Sequence, residues 1–181
     1  MTRENKINCA IVLGVTGDFE RKINKAWKIL SKVQIKYVST NHSKPHIALT
    51  AGTTANVGEI ISIIKKMKLK KFEISSPGLG IFANEEPNMH IRWNNSYEMI
   101  GLKKKIDIKI NKKFYNFFEN TKLSNWVPKT TLAWKDLKYS KLSQIIKNLN
   151  FMLKIDKTLV EYLYIIDFTK KEKIIAKIRL I

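Results

Sequence analysis

The spacing of apolar and polar positions changes several times along the chain, and it predicts strands and helices in alternation. The unbroken apolar run over 7–15 is typical of a buried strand, and residues 17–30 then carry apolar side chains at helical spacing. A second strand that contains His46 and a second helix, with apolar positions between 57 and 64, repeat this unit. The first third of the chain is therefore predicted to form two strand-helix units.

The rest of the chain continues the alternation. Short strands around a Pro-Gly turn are predicted over 70–93, and Ser96 is the expected N-cap of a long helix that runs to about Phe117. The remaining predicted elements are a short strand around Thr131, a helix over about 140–149 and two alternating strands over 159–168 and 173–181.

The order of elements favours an α+β fold. Strands and helices follow one another without a linker rich in Pro, Gly or Ser, and 181 residues are enough to bury one core. We therefore predict a single domain over 1–181 with two pseudo-repeated lobes, roughly 1–95 and 96–181.

The formal net charge of +19 makes polyanions the first partners to consider. Only four basic residues are arginines, and lysine acts on phosphate as a point charge, so the charge indicates phosphate attraction and not base reading. Codon bias in an AT-rich genome is an alternative origin of this composition. The lysine-rich stretches 65–71 and 103–113 are interpreted as solvated helix faces, although they could also steer a polynucleotide.

Several classes of protein are excluded by the same composition. No apolar stretch is long enough for a membrane span, and the first residues lack the apolar core of a secretory signal, so a cytoplasmic protein is expected. Cys9 is the only cysteine, which excludes an internal disulfide and a zinc site built on several cysteines. It is predicted to be a core residue, and no cofactor is expected.

Two predicted strands that follow a proline have the same sequence pattern. In "K-P-H-I-A-L-T", residues 44–50, alternate positions place His46, Ala48 and Thr50 on one face. In "W-V-P-K-T-T-L-A-W", residues 126–134, the same rule places Lys129 and Thr131 together. Each strand thus presents a basic residue followed by a small one, which suggests two halves of one site.

These two strands resemble the paired motif of the 2H phosphoesterase superfamily, which includes RNA ligase-like 2',3'-cyclic phosphodiesterases and is defined by two copies of a His-x-Thr/Ser-x strand. The order of the other segments is similar to that family as well. The matching segments are "L-G-I-F", "M-H-I-R-W", the helix from 96, "W-V-P" and the closing strands. The resemblance implies lobes that each pack an antiparallel-type sheet with helices around a central cleft.

The resemblance also implies metal-free acid-base chemistry on a phosphodiester, in which one imidazole takes a proton, a second gives one and neighbouring hydroxyls hold the phosphate oxygens. His46 matches the first histidine, and Thr131 matches the second hydroxyl. Ala48 stands where the first hydroxyl belongs, and Lys129 stands where the second histidine belongs. The expected catalytic residues are therefore His46, Lys129 and Thr131.

Four further residues are candidates for substrate binding. Thr50 could reach the phosphate in place of Ala48, and Trp134 could stack a base or belong to the core. His90 and Arg92 share a face of the strand that borders the cleft in the resembling family. His90 either replaces the missing histidine or faces solvent on an edge strand, and the second interpretation is favoured. His42 is interpreted as a loop residue.

Three functions remain open at this point. The first is an enzyme for 2',3'-cyclic or 2',5' phosphodiester bonds of RNA ends or small nucleotides, slowed by the loss of one histidine. The second is an inactive protein that binds a nucleotide or an RNA end in the same cleft. The third is a basic protein-interaction module. The first two predict RNA or a nucleotide phosphodiester as partner, with no membrane and no metal required.

Overall fold

A computed structural model of the chain describes residues 6–149, 151 and 156–181. In that part of the chain the strands are β1 (Ile7–Gly14), β2 (His46–Thr54), β3 (Phe72–Ser76), β4 (Gly78–Phe82), β5 (Asn88–Arg92), β6 (Asn116–Phe117), β7 (Lys129–Ala133), β8 (Asp156–Val160), β9 (Tyr162–Asp167) and β10 (Lys173–Arg179). The α-helices are α1 (Gly17–Lys32), α2 (Tyr37–Asn41), α3 (Val57–Lys66), α4 (Tyr97–Ile110) and α5 (Leu142–Asn148).

The described strands form three sheets, and every pair is antiparallel. One sheet has the strand order β10-β9-β1-β2-β6, a second has β4-β5-β7, and β3 pairs with β8. An α+β fold with antiparallel sheets is therefore confirmed. Each sheet combines strands from both sides of residue 95, and the division into two lobes there stays a prediction. That the chain is one domain stays a prediction.

Helices cover one face of the five-stranded sheet. The apolar side of α1, with Phe19, Ile23 and Leu30 buried, joins the core residues of β1 and β2. This arrangement confirms the helix expected from the spacing over 17–30. Cys9 is a buried free cysteine in β1, as predicted. Among the described residues, no helix combines the length and the apolar character needed to cross a membrane.

Helix α4 begins as predicted and ends early. The Ser96 hydroxyl caps it by accepting a hydrogen bond from the Met99 backbone N–H at 3.1 Å. The predicted end near Phe117 is wrong, because Asn116 and Phe117 form β6 on the edge of β2. The Tyr115 N–H donates to the Thr53 carbonyl at 2.8 Å, so this segment pairs with an open sheet edge and leaves the helix.

Lys103 departs from the prediction of a solvated lysine face, because its side chain is 0% exposed. Its ammonium donates to the Leu49 carbonyl at 2.7 Å, to the Thr121 carbonyl at 2.6 Å and to an Asp107 carboxylate oxygen at 2.9 Å. A buried ammonium needs such partners to offset the loss of water. Lys103 thus ties α4 to β2, the strand that carries His46.

Candidate functional site

The two proline-led strands lie side by side although they belong to different sheets. The Thr130 hydroxyl of β7 donates to the His46 carbonyl of β2 at 2.9 Å. The Trp126 indole N–H, just before β7, donates to the Ala48 carbonyl at 2.8 Å. These two contacts hold the start of β7 against the start of β2.

His46 is the first residue of β2 and is held by backbone groups. The Val15 N–H donates to the carbonyl of Pro45, which begins the pairing of β2 with β1. The imidazole Nδ1 of His46 lies 2.8 Å from the Lys44 carbonyl. A carbonyl can only accept, so Nδ1 carries the proton in this contact, and Nε2 of a neutral ring keeps its lone pair.

His42 and Glu172 lie beside His46, and neither is among the site residues predicted from the sequence. The residues before His42 form the short helix α2, and His42 follows its last residue. The His42 ring stacks on the His46 ring with centroids 5.3 Å apart and an angle of 14°. A Glu172 carboxylate oxygen, from the turn between β9 and β10, lies 3.3 Å from His42 Nδ1 and 3.7 Å from His46 Nε2.

Burial shifts the pKa of two members of this cluster, His42 and Glu172. It lowers the pKa of His42 to about 3, with smaller contributions from the charges of His46 and Lys129. The His42 ring is therefore neutral at physiological pH. Burial also raises the pKa of the Glu172 carboxyl, against the opposing effects of His46 and of the hydrogen bond from the Ser43 N–H.

Lys129 and Thr131 lie on one face of β7, as predicted. The Lys129 ammonium donates to the Thr131 hydroxyl at 3.4 Å and lies 5.7 Å from the centroid of the Phe82 ring. Burial lowers the pKa of Lys129. Arg92 is the exposed partner of Lys129 in the β5–β7 pair, so two basic residues lie at the same level of this sheet.

His90 is buried, and the favoured prediction that it faces solvent on an edge strand is wrong. Strand β5 is the centre of the three-stranded sheet, and the His90 side chain is 2% exposed. It stands opposite Thr131 in β7, with the Phe82 ring 4.4 Å away. Burial, followed by the charge of Lys129, lowers the pKa of His90 to about 4.

Gly80 of β4 provides the space for the His90 ring. A Cβ atom at this glycine would lie 2.6 Å from His90 Nε2, closer than carbon and nitrogen atoms approach without a bond. The interpretation that His90 replaces the missing histidine therefore requires the ring to leave this covered position. Phe82 and Gly80 were not identified as site residues from the sequence.

Thr50 does not share the face of His46 and Ala48, so that prediction is wrong. The β1–β2 pairing shifts register: Ala48 stands opposite Val12, whereas Thr50 stands opposite Ile11 in the main core. Such a bulge turns the following side chains to the other face of the strand. Thr50 is 0% exposed, and its hydroxyl has no hydrogen-bond partner among the described residues.

Trp134 lies beyond the end of β7, away from Lys129 along the strand. Its ring packs edge-on against Tyr37 of α2 at 5.9 Å between centroids. The Lys135 ammonium lies 5.0 Å from the Trp134 ring. This environment agrees with the packing alternative considered for Trp134, and base stacking by this residue stays a prediction.

The arrangement combines different chemistry on its two sides. His46 offers a ring nitrogen for proton transfer, and Lys129, Thr131 and Arg92 offer a cationic, hydrogen-bonding surface for an anion. His42, His46 and Glu172 are close enough to share one metal ion, since one ligand atom of each lies within 4.8 Å of the others.

Comparison with known proteins shows the fold. No protein-family model matches the chain, and no curated protein matches it in sequence. Among solved structures, TT0787 of Thermus thermophilus aligns with a TM-score of 0.64 at 11% identity, over 96% of this chain and 98% of that one. E. coli LigT complexed with 3'-AMP aligns with a TM-score of 0.59 at 9% identity, over 97% of this chain and 98% of LigT.

A structure described as a phosphoesterase gives a TM-score of 0.60 at 8% identity, over 97% of this chain and 99% of that one. These proteins belong to the 2H phosphoesterase superfamily. The chain has the 2H phosphoesterase fold. The resemblance inferred from the two proline-led strands is thereby confirmed at the level of the fold. In this fold, His46 and Lys129 are the first residues of β2 and β7, the two proline-led strands.

Proposed function

We propose that the chain is a phosphodiesterase for 2',3'-cyclic or 2',5' phosphodiester bonds of RNA ends or small nucleotides. The main support for the proposal is the hydrogen bond from the Thr130 hydroxyl to the His46 carbonyl, which holds the starts of β7 and β2 together. The fold is consistent with this reaction class. The complex of LigT with 3'-AMP supports a nucleotide as the ligand.

His46 is the proton-transfer residue in this proposal. Its Nδ1 is held by the Lys44 carbonyl, so Nε2 is the atom that accepts a proton from the attacking water. A positioned base of this kind contributes a factor of roughly 10² to 10⁴ in rate.

Lys129 and Thr131 act on the phosphate. The ammonium and the hydroxyl donate hydrogen bonds to the phosphate oxygens, on which negative charge increases in the transition state. Burial lowers the pKa of Lys129, and a lower pKa makes the ammonium a better proton donor to the leaving oxygen. One lysine thus performs part of the role of the second histidine, and slower turnover than in a protein with two histidines is expected.

A binding function without cleavage is the second candidate. It is favoured by Ala48, which supplies no hydroxyl beside His46, and by His90, which is covered by its own sheet. In this case Lys129, Arg92 and Thr131 hold a phosphorylated nucleotide or RNA end. Binding would then weaken with salt, because it depends on contacts between basic side chains and phosphate.

The test is hydrolysis of a 2',3'-cyclic mononucleotide in the presence of a chelator. We expect the wild type to open the ring and His46→Ala to do so roughly 10² to 10⁴ times more slowly. Lys104→Ala, which removes an exposed lysine of α4, is the matched control and should keep the wild-type rate. Circular dichroism of each variant verifies the fold.

Three outcomes separate the candidates. Hydrolysis that depends on His46 supports the enzyme. Salt-sensitive nucleotide or RNA binding without hydrolysis supports the binding protein. Neither hydrolysis nor binding contradicts both and leaves the protein-interaction module.

A further inference from the structure

His42, His46 and Glu172 bring two imidazoles and one carboxylate together from distant parts of the chain. The Glu172 oxygen Oε1 lies 3.3 Å from His42 Nδ1 and 3.7 Å from His46 Nε2. Ligand atoms at about 2.0–2.1 Å from one tetrahedral ion are about 3.3 Å apart. The first pair already has this spacing, and the second needs a shift of a few tenths of an ångström.

Backbone groups hold two of these side chains, His46 and Glu172, from the opposite side. His46 Nδ1 contacts the Lys44 carbonyl at 2.8 Å, and the Ser43 N–H donates to the other Glu172 oxygen, Oε2, at 3.0 Å. The Glu172 N–H also donates to the Asn41 carbonyl at 3.2 Å. Histidines that bind metals usually donate their second ring N–H in this way, which fixes the ring and directs its free nitrogen at the ion.

We propose that His42, His46 and Glu172 bind a divalent transition-metal ion of the zinc type. Two histidines and one carboxylate form a three-ligand set that leaves a coordination position open. The two imidazoles favour Zn²⁺ over Mg²⁺ and Ca²⁺, which take oxygen ligands. The neighbouring positive charge of Lys129 opposes a cation, so the expected affinity is moderate.

Metal binding would compete with the acid-base role of His46, a consequence that rests on the proposed function. The ion takes the Nε2 lone pair that otherwise accepts a proton from water. Zn²⁺ should therefore inhibit the hydrolysis of the cyclic nucleotide, and a chelator should restore it. The chelator in the hydrolysis assay would therefore remove an inhibitory ion.

The site is tested by titrating metal-free full-length protein with Zn²⁺ in a calorimeter. We expect one ion per chain. His42→Ala and Glu172→Gln each remove a ligand and should weaken Zn²⁺ binding at least tenfold, because loss of a group that only orients a ligand already costs roughly tenfold or more. His90→Gln is the matched control, because it removes a histidine outside the cluster and should keep the wild-type affinity. No Zn²⁺ binding by the wild type would contradict the site. Binding by the His42 and Glu172 variants with the wild-type affinity would contradict it as well.

A second measurement on the wild type avoids any folding defect of the variants. In nuclear magnetic resonance spectra of the histidine rings, Zn²⁺ should shift the signals of His42 and His46 and leave His90 unchanged. Unchanged His42 and His46 signals would rule out the site. Both measurements follow binding and not hydrolysis, so their failure is distinct from failure of the proposed function.

Discussion

The two sides of the candidate site are built from similar strands and carry opposite chemistry. The β2 side combines two imidazoles with the carboxylate of Glu172, whereas the β7 side combines Lys129 with Thr131 and the nearby Arg92. The first side is suited to moving a proton, and the second is suited to holding an anion. Similar strands thus present a ring nitrogen that can take a proton on one side and a cationic surface on the other.

The hydrogen bonds that hold the two strands in place differ as well. Behind β2, the buried ammonium of Lys103 holds the Leu49 carbonyl, whereas β7 is supported through Thr130, whose hydroxyl accepts from the Trp93 indole N–H at 2.9 Å. The β2 side thus depends on a buried charge, and the β7 side depends on neutral hydrogen bonds.

The largest effect is expected for Lys103→Ala. The change leaves two buried carbonyls without their donor and the Asp107 carboxylate without its ion pair. We expect a loss of about 3–5 kcal/mol in the free energy of unfolding, measured by urea denaturation. The adjacent exposed residue provides the control, since Lys104→Ala should change stability by less than about 0.5 kcal/mol. A similar loss in both variants would show that the burial of Lys103 is not what matters.

The next largest effect is expected in the pH dependence of the free energy of unfolding, through His90 of β5, the strand beside β7. The pKa of His90 is about 4 in the folded chain, below its value of 6.5 in a model peptide. The unfolded chain therefore binds a proton first as the pH falls, and stability should decrease between pH 6.5 and 4, by up to about 3 kcal/mol from His90. Urea denaturation of the wild type and His90→Gln measures this, and the variant should lose less stability over the same range. Equal losses would contradict the assignment to His90.

A smaller effect is expected for Thr130→Val, which breaks the link between the two sides. It removes the hydroxyl that donates to the His46 carbonyl and accepts from Trp93. An unsatisfied buried donor costs about 1–3 kcal/mol, so stability should fall by that amount. The rate of cyclic-nucleotide hydrolysis should fall further than with Thr130→Ser, which keeps a hydroxyl. If the valine variant keeps the wild-type rate, the contact does not align the two strands.

The smallest effect is expected for Lys129→Ala on the binding of an RNA end. Loss of one phosphate contact should weaken binding and reduce the slope of log affinity against log salt by about 0.7, the value for one contact with a single strand. Fluorescence anisotropy at several salt concentrations measures both quantities. An unchanged slope would mean that Lys129 does not contact phosphate.

Local patterns in the sequence predict much of this fold. The apolar spacing of α1, the cap at Ser96 and the two proline-led strands depend on neighbouring residues, and all three are present in the structure. The placement of Lys129 and Thr131 on one face follows from strand geometry alone.

Other features depend on pairing across the chain. The register shift against β1 buries Thr50, and the position of β5 between β4 and β7 buries His90. The turn after β9 brings Glu172 to His42 and His46, and no local pattern marks that contact. Lys103 could not be distinguished from its exposed neighbours, since two of its three acceptors, the Leu49 and Thr121 carbonyls, come from segments distant in the sequence.

The central claim is that His46 and Lys129 serve one phosphate from two sides. Titration of the wild-type protein with a 2',3'-cyclic nucleotide, followed by nuclear magnetic resonance of the His46 ring and the Lys129 ammonium, tests it most directly. We predict that both sets of signals shift together along one binding curve, while the covered ring of His90 changes less. Shifts at neither residue, or at one of them alone, would contradict a shared site.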